Sequence, residues 1–256
     1  MNPSVPTESV RAIDRAFDVL EALAASDSPL GMSDIAEHTG LPRPTVHRVL
    51  HTLASSGYVY QLANHRYRLG TRMIWLAKRA ANGLGPSMRP LLAWAVEATR
   101  ESASVAILDG DEARYIAHAA SDQAVRVFQQ VGNCASLHST GVGKAILSAM
   151  PDDEVRAIIG RTTLVALTPN TITDPDQLFA DIQRARERGY ASDLAEHEAG
   201  VSCVAEPVPG PLPLAVSISG PESRMTGDFI EATCLPVLRS LAVSLSETCA
   251  QFQNAL

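Results

Sequence analysis

The stretch GLPRPTVHRVLHTLASSGYV, residues 40–59, combines residue types that can contact a polyanion on one side of a single helix. Val46, Val49, Leu50 and Leu53 recur at three- and four-residue spacing, which predicts a buried stripe. The polar and basic side chains fall on the other sides of the helix. Guanidinium groups bond phosphate oxygens or guanine edges, and hydroxyl and imidazole groups can bond either. The candidate nucleic-acid contacts here are Arg43, Thr45, His47, Arg48 and His51.

The charge pattern around this helix favours the same partner. The chain carries a net charge of −7, yet no Asp or Glu occurs between Glu37 and Glu97. That window holds eight of the 21 Lys and Arg residues and four of the seven His residues. A solvated surface without a partner normally mixes both signs of charge, so this window is typical of a segment that meets a polyanion. Two alternatives stay open: the basic residues only solvate a structural helix, or the domain is a protein–protein module.

Periodicity and helix breakers predict the elements that position this helix. A first helix is predicted by the spacing of Val10, Ile13, Phe17, Leu20 and Ala24. A second helix begins with Ser33 as its N-cap and ends at Gly40. Pro42 and Pro44 suit the approach and first turn of the third helix, which Gly57 ends. Two short helices joined by a tight turn, the second of them basic outside, form a helix-turn-helix.

The next segment, YVYQLANHRYRLG at residues 58–70, alternates with period two and predicts a β-hairpin with its turn at residues 62–65. Tyr67 and Leu69 point to one face. Arg66 and Arg68 point to the other, where they would meet phosphate or the minor groove. Helices followed by a hairpin in this order predict a winged helix over residues 1–70.

Residues 71–86 are predicted to form a linker helix that ends in a breaker. The run TRMIWLAKRAA is apolar on most sides, so it must bury against something besides its own domain. A second copy is the natural candidate, because palindromic half-sites are bound by dimers. Packing within one chain is the alternative. Residues 82–86, NGLGP, mark the domain boundary.

Residues 87–256 are predicted to form an α+β domain around an antiparallel sheet. A helix opens it, and a long helix from about Asp228 closes it. The predicted strands are residues 104–108, 113–120, 124–131, 189–194, 200–208 and 213–219. Gly110 and Asp111 form the turn between the first two.

Three places in this domain could carry chemistry. HSTGVGKAIL, residues 138–147, is not a phosphate loop, because Ala145 follows Lys144 and no Gly stands five residues before Gly143. It reads as a loop opening a helix whose N–H groups suit a small anion, or as a tight turn with close packing. ASDLAEHEAGVSC, residues 191–203, holds paired carboxylates but no nucleophile or oxyanion hole. Ser217 and Ser219 share one face of a strand, so the three places together suggest a polar pocket for sensing.

The sequence gives little support for metal, redox or membrane functions. The four cysteines form no C-x-x-C pair, and Cys134 and His138 could share a helical face as two metal ligands, although four reduced thiols are favoured. We expect no cofactor and no metal. No signal pattern opens the chain and no apolar run approaches the roughly 18–20 residues that span a bilayer, so a cytoplasmic location is expected.

The chain resembles the IclR family of bacterial transcription regulators from about Val10 to Phe252. The segments that carry the resemblance, in order, are GLPRPTVHRVLHTLASSGYV, RYRLG, LHSTGVGKAIL, RGYASDLAEHEAGVSC and SISGP. The resemblance implies an N-terminal winged helix, a linker helix used in dimerisation and a C-terminal effector domain of GAF-like or profilin-like topology.

The resemblance also implies a function and a second set of site residues. It implies a repressor or activator, often of a catabolic operon, that binds a pseudo-palindromic operator as a homodimer or dimer of dimers and responds to a small organic acid. The effector-binding residues that it implies are Gly141 and Val142 through their backbone, with Asp193, Cys203, Ser217 and Ser219. Three positions depart from the family pattern: Ala195 stands where a Glu is common, Ser202 where a basic residue is frequent, and the wing turn LANHR lacks a glycine.

Two rival functions remain at this point. One is an enzyme or ligand-carrying module that keeps the winged helix for assembly only. The other is a metal-responsive switch that uses Cys134, His138 or Cys203. We expect a regulator and not an enzyme.

Overall fold

The computed structural model describes residues 10–81 and 85–253, which belong to two compact units that divide between Ala81 and Asn82. Three predicted segments lie outside the described residues: the start of the first domain at 1–9, the breaker residues 82–84 and the end of the second domain at 254–256. The linker helix is grouped with the first unit.

The first unit packs three helices and a hairpin around one core. Val19, Ile35 and Leu50, from three different helices, are almost fully buried in it. One apolar stripe of each of these three helices faces this core, which is what makes the packing possible. The elements are α1 (Arg11–Ala24), α2 (Met32–Thr39), α3 (Arg43–Ser55), β1 (Val59–Gln61), β2 (Tyr67–Leu69) and α4 (Arg72–Ala81).

Helix α1 is present where the spacing predicts it, and it has two apolar stripes. Val19 and Leu23 are buried, whereas Val10, Ile13 and Phe17 are 60%, 53% and 57% exposed. Both sets keep helical spacing, and spacing alone does not say which of two apolar stripes faces the core. Helix α1 therefore carries an apolar strip on its outer surface.

The turn between α2 and α3 has the expected caps, with one change. The carboxylate of Asp34 accepts a hydrogen bond from the Gly31 N–H at 2.9 Å, so Gly31 precedes the helix and Ser33 lies inside its first turn. Gly40 ends α2 with φ = +65°, a left-handed conformation that glycine adopts without strain. Pro44 occupies the first turn of α3, as predicted.

Strands β1 and β2 form the predicted antiparallel hairpin, with Val59 opposite Leu69 and Gln61 opposite Tyr67. His65 takes φ = +60° in the turn, a left-handed conformation that is uncommon for a residue other than glycine. Leu30 and Tyr67 exchange two backbone hydrogen bonds of 3.0 and 2.7 Å, which fasten the hairpin to the segment before α2.

The second unit is a six-stranded antiparallel sheet with helices on both faces, so the predicted α+β class is confirmed. The strands are β3 (Ser102–Asp109), β4 (Glu112–Ala119), β5 (Cys134–Ser136), β6 (Ala191–Leu194), β7 (Val201–Val208) and β8 (Leu214–Pro221). The helices are α5 (Gly85–Thr99), α6 (Gly141–Ser148), α7 (Asp152–Arg161), α8 (Pro175–Arg188), α9 (Gly227–Phe229) and α10 (Leu235–Gln253), with a π-helical turn at Ile230–Cys234 between the last two.

The strand order in the sheet is β5-β4-β3-β8-β7-β6. One core lies between the sheet and α5 and α10, and the other lies between the sheet and α6, α7 and α8.

Two local predictions for this unit were wrong. Residues 124–131 form no strand; their carbonyls accept side-chain hydrogen bonds, from Ser102 to Val127 and from Arg224 to Val125, instead of bonding a neighbouring strand. The short edge strand β5 follows them. Gly85 and Pro86 do not break the chain either, because α5 begins at Gly85 and a proline near the start of a helix lacks only an N–H that has no intrahelical partner.

The closing helical stretch, Gly227–Ala250, is long and apolar enough by composition to cross a membrane. Its side chains Leu238, Leu241 and Leu245 are fully buried in the core that includes α5 and the sheet. The core helix of a globular domain meets the same length and composition criteria, and its place in this core accounts for the apolar composition.

Two helical glycines give a matched test of close packing. A Cβ on Gly143 in α6 would lie 2.5 Å from Cα and the carbonyl oxygen of Leu137, whereas a Cβ on Gly160 in α7 would meet nothing within 4 Å. We expect Gly143→Ala to lower the free energy of unfolding by at least about 1–3 kcal/mol, because backbone atoms cannot move aside easily. Gly160→Ala should raise it by up to about 1 kcal/mol through helix propensity. Urea unfolding measures both, and equal effects would contradict the packing at Gly143.

Candidate functional site

Helix α3 of the first unit presents two faces, as its sequence predicted. Val46, Leu50 and Leu53 are buried against the other helices. Arg43, His47, Arg48 and His51 are exposed on the opposite side, and Thr45 is half-buried beside them. The structure thus brings all five predicted contacts of this helix to one accessible surface of the unit.

Arg43 is held in position by the preceding helix. Its Nη2 donates to Ser33 Oγ at 2.8 Å, so the side chain bridges α2 and α3. A guanidinium has five N–H donors, and this bond leaves others for a phosphate or a base. The bond reduces the conformational freedom that Arg43 would lose on binding DNA.

The two arginines of the hairpin differ in their surroundings. Arg68 is exposed on β2. Arg66 donates to the carbonyl of Pro29 at 2.8 Å and lies 3.8 Å from Asp34 Oδ2. Arg66 therefore has a structural role in fastening the hairpin, in addition to any contact with phosphate.

Sequence reasoning missed one residue of this surface. Arg15 of α1 lines a groove together with Thr45 and Arg48 of α3. The spacing predicts helix α1 but does not say which of its sides lies beside α3, and that packing is what brings Arg15 to the groove. Its cationic side chain extends the basic surface onto the first helix.

In the second unit, the polar candidates lie on one face of the sheet. Register places Asp193 opposite Cys203, and Cys203 opposite Ser219. Residues directly opposite each other in an antiparallel pair point to the same face. Ser219 is in turn opposite Ser102, so a row of four polar side chains crosses strands β6, β7, β8 and β3.

A second polar row runs beside the first. Ser217 is opposite Ser104, and Ser104 is opposite His118 on β4. The backbone N–H of Gln129 points to His118 Nε2 at 3.4 Å, so Nε2 accepts and Nδ1 carries the proton of the neutral ring. Nδ1, 3.0 Å from Ser104 Oγ, then donates to that hydroxyl, whose own proton is available to another acceptor. Burial lowers the pKa of His118, which favours this neutral form.

Sequence reasoning missed Ser102, Ser104 and His118 as members of this face. Ser102 and Ser104 have the same two-residue spacing as Ser217 and Ser219, so a signal was present in the run SASV. The role of His118 depends on strand pairing, which the sequence does not reveal.

The N-terminus of α6 adjoins the first polar row. A Cβ on Gly141 would lie 2.8 Å from Cys203 Sγ, so only a glycine lets the helix approach β7 this closely. Thr140 caps the helix by accepting from the Gly143 N–H at 3.2 Å. The N–H groups of Gly141 and Val142 then have no partner within the helix and are suited to an anion.

Asp193 of β6, which lies opposite Cys203, belongs to the polar row that the N-terminus of α6 adjoins, and it is almost fully buried. Its Oδ1 accepts from the backbone N–H groups of Glu196 at 2.7 Å and His197 at 3.3 Å. Burial raises the pKa of Asp193 to about 7. The hydrogen bond from the backbone N–H of Glu196 lowers this pKa, and the negative charge of Glu196 raises it. Ala195 in this turn takes φ = +56°, an uncommon conformation for a residue other than glycine.

A buried ammonium joins α6 to this turn. Lys144, 1% exposed, lies 2.7 and 2.9 Å from the two carboxylate oxygens of Glu196 and 2.9 Å from Asp181 Oδ2 on α8. Sequence reasoning considered Lys144 only as a phosphate-loop lysine and dismissed it. Its structural role could not be seen without the fold, because its partners are 37 and 52 residues away in the chain.

The remaining thiols and imidazoles give the metal alternative no support. Cys134 lies in β5 and His138 in the following turn, so they do not share a helical face. His138 Nε2 is 3.0 Å from the carbonyl of Val165, and burial raises the pKa of Cys203 to about 12, which keeps that thiol protonated. In residues 10–81 and 85–253, no three His, Cys, Asp or Glu side chains are grouped to hold an ion.

Comparisons with known proteins match both units. The family model described as IclR helix-turn-helix domain matches residues 12–63, and the one described as bacterial transcriptional regulator IclR C-terminal matches residues 82–247. The chain is 33% identical over 234 residues to the HTH-type transcriptional regulator BhcR of Paracoccus denitrificans, covering 87% of this chain and 82% of that protein. It is also 33% identical to the HTH-type transcriptional repressor AllR of Escherichia coli, with 88% and 85% covered.

A solved structure agrees with this assignment. The crystal structure of an IclR transcriptional regulator from Silicibacter sp. TM1040 superimposes with a TM-score of 0.84 at 30% identity, covering 92% of this chain and 95% of the other. The relatives are named as regulators, which agrees with the expectation that the chain is not an enzyme. With an N-terminal helix-turn-helix, a C-terminal α+β unit and family matches over most of its length, this chain belongs to the IclR family of bacterial transcriptional regulators.

Proposed function

We propose that this regulator binds a pseudo-palindromic operator through α3 and the hairpin, and that a small organic acid in the second unit controls the affinity. The observation that carries the proposal is the exposed face of α3, where Arg43, His47, Arg48 and His51 lie together in a window without acidic residues. Thr45, Arg66 and Arg68 are proposed to complete the DNA contacts. We further propose that the regulator controls a catabolic operon and that it is located in the cytoplasm with the chromosome.

A second copy is proposed to pair the reading helices. Helix α4 exposes Ile74 and Trp75 in the described unit, at 68% and 57%, and α1 exposes Phe17. Large exposed apolar side chains such as these on α1 and α4 are typical of an interface, and a twofold dimer would present two α3 helices to two half-sites. A dimer of dimers is compatible with the same surfaces.

The acid is proposed to bind at the N-terminus of α6. The N–H groups of Gly141 and Val142 would bond its carboxylate, and the side chains of Asp193, Cys203, Ser217 and Ser219 would surround it. Binding changes DNA affinity only if the acid has different affinities for the DNA-competent and incompetent arrangements.

The rival functions predict different measurements. A DNA-binding protein loses affinity steeply as salt rises, because each phosphate contact makes the slope of log K against log salt more negative by about 0.9. A module that uses its winged helix for assembly only would show no such fall. An enzyme would form product from candidate acids, and a metal-responsive switch would contain metal after purification.

The DNA proposal is tested by Arg48→Ala. If Arg48 reads a base, its loss should weaken operator binding by about 1–3 kcal/mol and relax specificity at one base pair. Quantitative gel-shift or fluorescence-anisotropy titration against the protein's own promoter region measures this. Arg161→Ala, which removes the same charge from an exposed ion pair in the second unit, is the matched control. Binding of Arg48→Ala to every sequence as tightly as the unaltered protein would contradict the assignment of the reading helix.

The effector proposal is tested by Ser217→Ala. A panel of aliphatic and aromatic carboxylates is first screened by thermal shift, and the affinity of each binder is then measured. We expect Ser217→Ala to weaken binding about tenfold or more, because a hydrogen bond to a charged group contributes about 1.5–3 kcal/mol. Ser240→Ala on the outer side of α10, where the hydroxyl bonds the carbonyl of Pro236, should change nothing. Equal affinities for the two variants would remove Ser217 from the site.

A further inference from the structure

We propose that Asp193 binds the ligand as a neutral carboxylic acid that donates a hydrogen bond to the ligand's carboxylate, so that one acid and one proton enter the site together. The inference rests on the proposed function, because it assigns a role within the same acid-binding site. It also restricts the ligand to an acceptor group carrying a single negative charge.

The first support is the crowding of carboxylates in a buried place. Asp193, near the end of β6, is 4% exposed, and Glu196, in the turn that follows β6, is 7% exposed. A ligand carboxylate beside Cys203 and Ser219 would bring a further anion next to Asp193. Two buried like charges within hydrogen-bonding distance of each other, with no cation between them, cannot both stay ionised, and such groups share a proton.

The second support is that the nearby cation is already used. The ammonium of Lys144 has three N–H donors, and these bond the two oxygens of Glu196 and one of Asp181. Arg184 bonds the other oxygen of Asp181 at 3.0 Å. These two cations therefore balance Glu196 and Asp181, and they leave no positive charge for Asp193 together with a ligand.

The other titratable groups around Asp193 supply no cation either. His197 belongs to the same turn, and burial lowers its pKa, which favours the neutral ring. Cys203 faces Asp193 from β7, with its thiol protonated. Tyr115 approaches from β4, and burial raises the pKa of its phenol, which stays neutral. Among the described groups that face Asp193, the positive charge is that of Lys144 from α6, and its donors already bond Glu196 and Asp181.

The geometry also leaves an oxygen for the proton. Oδ1 of Asp193 accepts both backbone N–H groups, so Oδ2 is the oxygen that can carry hydrogen towards a ligand. The balance is simple: an ionised Asp193, a proton from solvent and the ligand carboxylate give a carboxylic acid bonded to a carboxylate, and no covalent bond forms or breaks.

The proton on Asp193 determines how the affinity for the ligand changes with pH. Burial raises the pKa of Asp193 to about 7 in the free site, so below that pH the proton is already present and affinity is constant. Above it, each ligand bound takes up a proton, and affinity falls about tenfold per pH unit. A site that recognised the acid through ionised Asp193 would gain affinity over the same range.

Titration calorimetry with acetate, the carboxylate with the least attached structure, tests the inference on the full-length protein. Measured in two buffers of different ionisation enthalpy, proton uptake should approach one per acetate above about pH 7 while affinity falls. Acetate binding that is independent of pH and without proton uptake overturns the inference and leaves the acid site standing. No acetate binding at any pH overturns the acid site and the inference with it.

Asp193→Asn separates the donor from the charge. The amide keeps an oxygen for the N–H groups of Glu196 and His197 and offers a permanent N–H donor in place of the titrating proton. We expect acetate affinity in this variant to be independent of pH and to exceed that of the unaltered protein above about pH 8. Asp193→Ala, which has no donor, should bind weakly at every pH. If the Asn and Ala variants bind equally, the donor role is wrong; the proton count on the unaltered protein requires no variant.

Discussion

The second unit depends on the burial of one ammonium group, that of Lys144. Lys144 is 1% exposed, and a charge removed from water to this extent is tolerated only when it is fully paired. Glu196 and Asp181 provide the pairing, and they come from the β6–β7 turn and from α8. Removing either partner would leave an uncompensated charge. The ammonium therefore ties α6, which offers N–H groups, to the turn that follows Asp193 at the end of β6, so both halves of the proposed anion site are positioned by one interaction.

The sheet supplies the rest of the site by dividing its residues between two faces. Along β8, Val216 and Ile218 are buried in the core with α5 and α10, whereas Ser217 and Ser219 point to the opposite face. Such alternation is the ordinary period of a strand. The apolar half contributes burial energy, and the polar half faces α6, which approaches β7 closely because position 141 is a glycine. A single register error would exchange the two faces, so the same antiparallel pairing that stabilises the unit also specifies the site.

The sequence predicted what is local and missed what depends on tertiary contacts. The two-faced α3, the hairpin and the paired serines of β8 follow from periodicity over a few residues, and the structure has all three. The buried face of α1 could not be predicted, because its residues offer two stripes at helical spacing and the choice is made by α2 and α3. Residues 124–131 alternate like a strand, but their carbonyls bond Ser102 and Arg224. Lys144 and His118 acquire their roles from partners on other strands and helices, which no short pattern shows.

The distribution of charge places different demands on the two halves of the chain. Residues 1–85 carry nine basic and seven acidic side chains, a balance of +2, and the rest carries 12 basic and 21 acidic ones, a balance of −9. Duplex DNA is attracted by the first balance and repelled by the second, so the long-range field favours contact through the winged helix. By our proposal, an organic acid must reach a unit whose overall field repels it. Its binding therefore has to come from short-range donors in a place of low dielectric constant: the N–H groups of α6, the serine hydroxyls and, by our proposal, a protonated Asp193. Short-range donors are little affected by salt at the ionic strengths that screen a surface field, so such a site would bind its acid over conditions in which DNA affinity varies greatly.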